Sequence, residues 1–161
     1  MKSTRVRTLR GQITATGGKA EQQLILNDQL INRGLRVTGF FVWPTVCDRQ
    51  SSRQFNAILS YAQLANADVV MDAGDNTQLA WAFQSNTTSS DIGTPNGVPP
   101  SFSGYFNQLI DPDHIINRDL FVSLRLSDNQ TYNYLVICEL LELTDDEAIV
   151  TIIKENSQSI E

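Results

Sequence analysis

The feature that most constrains this chain is a period of two. In "RDLFVSLRLS", Leu120, Val122, Leu124 and Leu126 fall on one side of an extended segment, while Asp119, Ser123 and Arg125 fall on the other. That alternation is the signature of a strand with one face on a core and one toward solvent. "RQFNAILSY" repeats it with Phe55, Ala57, Leu59 and Tyr61, and "TQLAWAFQ" with Leu79, Trp81 and Phe83. "GLRVTGFFVW" aligns Leu35, Val37, Phe41 and Trp43, with Gly39 placed where a bulge or a close neighbour is expected. "TYNYLVICELLEL" is apolar on both faces and belongs in the middle of a sheet, and "EQQLILN" is a shorter strand. Gly17 and Gly18 predict a hairpin turn.

Only the end of the chain has a helical period. In "LTDDEAIVTIIKENSQ", Thr144 and Glu147 form a capping box, Leu143 and Ala148 a hydrophobic staple, and Asp145 and Asp146 favour a helix N-terminus. The helix is predicted over about 145–156, with Ile149, Ile152 and Ile153 as the stripe that docks on the core. The fold expected is mainly β: an antiparallel two-layer β-sandwich with one C-terminal α-helix, formed by residues 1–161 as a single domain. A chain of 161 residues is long enough for one such core.

Charge is distributed unevenly. The net charge is −6, yet the nine cations up to Arg53 face only three carboxylates, so the remainder carries −12. The basic segment, about 1–12, holds Lys2, Arg5, Arg7 and Arg10. These four are the candidate contacts to another subunit or to nucleic acid. Val6, Leu9 and Ile13 interrupt the charges, which favours a strand or arm meeting acidic protein surface over one meeting phosphates. No apolar run reaches the length of a membrane span, and no signal peptide is visible.

Catalytic and metal chemistry have little to work with. His114 is the one histidine, and between Asp111 and Asp113 it reads as a turn residue with capping aspartates. Asp68, Asp72 and Asp75 lack the frame of a calcium loop, and Gly17-Gly18-Lys19 lacks that of a phosphate loop. Cys47 and Cys138 are too few for a zinc ribbon and read as buried thiols. No cofactor or metal is expected. Phe41, Trp43, Trp81, Phe83 and Tyr134 are assigned to the core rather than to a stacking platform. Between Gln84 and Gly104 the Pro- and Ser-rich stretch, with Pro95, Pro99 and Pro100, is expected to be a contact or binding loop.

The run "EQQLILNDQLINRGLRVTGFFVW", the segment "DAGDNTQLAWAF" and the ending "YNYLVICELLELTDDEAIVTIIKENSQS" resemble small virion structural proteins encoded by viruses from environmental, largely marine, sources. The resemblance implies a jelly-roll-like sandwich and a non-enzymatic capsid or virion component, made in the host cytoplasm and located in the virion. Implied partners are copies of itself, other virion proteins and, through the basic segment, nucleic acid. Two alternatives stay open at this level. One is a monomeric β-sandwich module that binds a ligand or receptor through the loop 85–103. The other is an enzyme built on His114 and Asp113.

Overall fold

The computed structural model describes residues 2–26, 30–46, 54–64, 69–87, 102–126 and 129–158. Among them are nine strands and then one helix: β1 (Lys2–Thr14), β2 (Lys19–Leu24), β3 (Arg33–Pro44), β4 (Phe55–Ser60), β5 (Gln78–Thr87), β6 (Phe102–Ile110), β7 (Ile115–Ile116), β8 (Leu120–Leu126), β9 (Thr131–Glu142) and α1 (Asp145–Gln158). They form two antiparallel sheets, ordered β1-β9-β3-β7 and β2-β8-β4-β5-β6. Pairing is nested along the chain, β1 with β9, β2 with β8, β3 with β7 and β4 with β5. Successive pairs fall in alternate sheets, and β6 stands outside the nesting, paired with β5 at the edge of the second sheet.

The first crossing between sheets is the predicted hairpin. Gly17 and Gly18 have φ of 64° and 77°, a combination that a two-residue turn requires and that L side chains resist. Thr16 N–H donates to the Lys19 carbonyl at 2.9 Å to close it.

One cluster of buried side chains lies between the sheets. From β8 it takes Leu120, Val122, Leu124 and Leu126, and from β4 Phe55, Ala57 and Leu59, as the period of two predicts. From β9 come Tyr132, Tyr134, Val136 and Cys138. The rings of Phe55 and Tyr132 meet edge to face across the layers, 5.1 Å apart. Full burial of side chains such as Leu59 or Leu124 contributes about 1.5–3 kcal/mol each.

Two strands depart from the expected face. The ladder between β3 and β9 shifts register between Val37 and Gly39, so a bulge stands where the glycine predicted one. A bulge reverses the alternation beyond it. Phe40 and Val42 therefore enter the core, and Phe41 and Trp43 turn outward. In β5 a second shift, opposite Leu59 and Ser60, sends Leu79, Ala80 and Ala82 inward and leaves Trp81 and Phe83 on the other face. Trp81 Nε1 donates instead to Gln78 Oε1 at 2.7 Å.

The stretch from Gln84 to Gly104, expected to be loop, is partly strand. β5 continues to Thr87 and β6 begins at Phe102, with Asn86 opposite Ser103. The prolines of that loop lie outside the described residues, as do Cys47 and Asp68.

The capping box of α1 forms: Thr144 N–H donates to Glu147 Oε2 at 2.9 Å, and Glu147 N–H to Thr144 Oγ1 at 3.4 Å. That bond from the Thr144 backbone holds the Glu147 carboxyl below its usual range. Leu143 and Ala148 pack with Leu141 in a second small cluster, so the staple is present too. The docking face is only in part the isoleucine stripe: Ala148 and Glu155 are buried and Ile152 half-buried, while Ile149 and Ile153 are 55% and 60% exposed.

Candidate functional site

The four basic residues of the N-terminal segment lie on β1, an edge strand of the four-stranded sheet. Its neighbour β9 sets Lys2 opposite Glu142, Arg5 opposite Leu140, Arg7 opposite Cys138 and Arg10 opposite Leu135. The cations do not share one face. Leu9 and Ile13 pack on the core side, and alternation places Arg7, and beyond it Arg5, on that same side while Arg10 faces away. Lys2, Arg5 and Arg10 are exposed and Arg7 is half-buried.

Cys138 records this arrangement chemically. Burial pushes its thiol up to about 11, and the Arg7 guanidinium pulls the other way. Among the described residues β1 pairs on one side only, and charges on such an edge strand oppose indiscriminate pairing with other strands.

Arg5 lines a groove of about 290 Å³ with Arg33, Leu140, Leu141 and Glu142. A larger groove, about 600 Å³, continues from the same Arg33 and Glu142 past Leu30 and Ile31 to Asp145 and Ile149 at the start of α1. Leu30 and Ile31 are 48% and 60% exposed. Their segment is held firmly nonetheless. Asn117 Nδ2 donates to both their carbonyls, Asn32 Nδ2 donates to Asp145 Oδ1 at 2.9 Å, and Leu143 N–H donates to the Asn32 carbonyl at 2.9 Å.

α1 is fixed by a buried carboxylate. Glu155 accepts from Arg118 Nε at 3.0 Å and from the Asn117 backbone N–H. Arg118 in turn donates to Asn156 Oδ1. With this polar anchor α1 docks through Ala148 and Glu155, and Ile149 and Ile153 face solvent.

His114, Asp111 and Asp113 lie together at one turn. His114 Nδ1 is 3.7 Å from Asp111 Oδ2, longer than a hydrogen bond. Asp111 Oδ1 instead accepts from the Asp113 backbone N–H at 3.1 Å, which is the capped turn that was expected. His114 packs on Tyr61, with ring centroids 5.5 Å apart. Burial raises the pKa of Tyr61, and the Glu155 carboxylate adds to that. A cleft of about 350 Å³ beside His114 contains the hydroxyl of Thr151, but that group donates to the Glu147 carbonyl at 2.9 Å.

Asp72 and Asp75 spend their oxygens on a turn, accepting from Gly74 N–H at 2.8 Å and from Thr77 N–H at 2.9 Å. Among the described residues no group of three or more His, Cys, Asp or Glu is placed to hold a metal ion. No helix among them is long and apolar enough to cross a membrane.

The aromatic residues split. Tyr134 is buried between the sheets as expected, while Trp43 is 39% exposed and Phe41 half-buried on the outward face of β3. Sequence reasoning also missed the apolar surface made by Leu30, Ile31 and Ile149. Its signal was present in Glu155: a buried carboxylate one turn from the end of a helix decides which face docks, and hydropathy counts it as a solvent residue.

No protein-family model matches the chain, and no characterised protein matches its sequence.

Proposed function

We propose that this chain is a non-enzymatic structural protein of a virion, which assembles with copies of itself into a capsid or a capsid component. The observation that carries the proposal is the nested pairing of β1 with β9, β2 with β8, β3 with β7 and β4 with β5, in alternate sheets. That nesting supports a jelly-roll reading of the sandwich, and jelly rolls serve as capsid domains, lectins and cupins. Fold alone does not choose among these.

Exposed surfaces favour assembly. The open β1 edge and the exposed aliphatic side chains beside α1 are surfaces that a lone soluble domain gains nothing by exposing. Partners are other copies first, then other virion proteins, with nucleic acid as a secondary contact of Arg5, Arg7 and Arg10. Electron microscopy of the purified chain tests this: shells, rings or vertex-like clusters of uniform size are expected, and a field of single small particles at every concentration opposes it.

The outward position of Trp43 and Phe41 favours a second reading, a monomeric module that stacks a glycan ring on its outer sheet. Trp43 fluorescence that responds to a glycan, in a protein that stays monomeric, supports that reading over the first.

A further inference from the structure

The two grooves that share Arg33 and Glu142 make one surface with opposite charges at its ends. Arg5 stands at one end and Asp145, in the first turn of α1, at the other. Between and beside them Leu30, Ile31 and Ile149 are about half exposed, and Ile153 continues the stripe one turn along. We propose that a second copy of this chain docks on this surface about a two-fold axis.

The charge order selects that occupant. A two-fold rotation reverses the direction of the groove, which brings Arg5 of each copy toward Asp145 of the other and buries the aliphatic side chains of both. A partner of single charge would be attracted at one end and repelled at the other. The surface is also set in advance, since the hydrogen bonds of Asn32 and Asn117 hold Leu30 and Ile31 in place before any contact. A preorganised patch loses little freedom on docking. Isologous contacts of this kind are what a closed shell needs at its two-fold axes. The inference rests on the assembly reading and names the surface it uses.

Sedimentation equilibrium on the full chain tests it, with far-UV circular dichroism to check folding. Ile149→Gln with Ile153→Gln changes only exposed side chains, so the fold is expected to persist and the dimer dissociation constant to rise about tenfold or more. Arg5→Glu is expected to weaken association, since it sets like charges together where Asp145 of the other copy arrives. Wild-type protein that associates, with the double-Gln variant associating equally well, overturns this surface and leaves the assembly reading standing. Wild-type protein that stays monomeric overturns both.

Discussion

Glu155 Oε2 lies 3.0 Å from Arg118 Nε, with the glutamate side chain 3% exposed and the arginine 36% exposed. The pair therefore straddles the surface, and its loss is asymmetric. Glu155→Ala leaves the Asn117 N–H and the guanidinium seeking water, which the half-exposed arginine can find. The expected destabilisation is about 1–3 kcal/mol, less than for a fully buried pair. Glu155→Gln keeps the bond from Asn117 and is expected to cost less. Urea denaturation measures both, and equal stability of Glu155→Ala and wild type contradicts the anchoring role given to this residue.

Cys138 makes stability depend on alkaline pH. Its folded pKa, about 11, lies above the ordinary 9.0, so the thiol favours folding while it is neutral. The contribution is complete below pH 9. It falls as the pH rises from about 9 toward about 11, because the unfolded chain ionises first. A shift of this size corresponds to about 2–3 kcal/mol. Cys138→Ala is expected to flatten that decline in part, since burial also raises the pKa of Tyr134 and Tyr61. In a Cys47→Ser background, a thiol reagent is expected to leave the folded protein unlabelled and to label it once unfolded.

Gly11 stands over the ring of Tyr134. A Cβ placed there comes 2.6 Å from the Tyr134 hydroxyl oxygen and 2.9 Å from Cζ, inside any real contact distance. Gly11→Ala is therefore expected to lower stability by about 1–3 kcal/mol, the range for overpacking. Tyr134→Phe in the same chain removes the closest atom and recovers part of the loss. Thermal melts of the two variants decide it, and a neutral Gly11→Ala rejects the packing described for β1 on β9.

Much of the architecture could be read from residues. The alternation of Leu120 to Leu126, the double-faced run from Thr131 to Glu142, the glycine hairpin and the Thr144–Glu147 box each specify a local structure by spacing alone. What escaped did so for two physical reasons. A bulge shifts parity by one residue, so Phe40 and Val42 take the core places that Phe41 and Trp43 held in a simple alternation. A buried carboxylate reverses hydropathy, so Glu155 docks α1 while Ile149 and Ile153 remain exposed. The four basic residues were visible from the first. That they are distributed over both faces of an edge strand depends on the pairing of β1 with β9, more than a hundred residues away in sequence, which no local pattern carries.

The edge strand also yields a prediction about assembly. If the arginines meet acidic protein surface, as the assembly proposal has it, reversing Arg5, Arg7 and Arg10 to Glu is expected to impair self-association in protein freed of nucleic acid. Association that persists unchanged in that variant, with only nucleic-acid retention lost, assigns them to phosphates instead.

The most direct test of the central claim is sedimentation velocity on the purified, nuclease-treated chain over a wide range of concentration, salt and pH. Self-assembly predicts discrete species much larger than the 18.0 kDa chain, growing at the expense of monomer as concentration rises. A single 18.0 kDa species under every condition contradicts it.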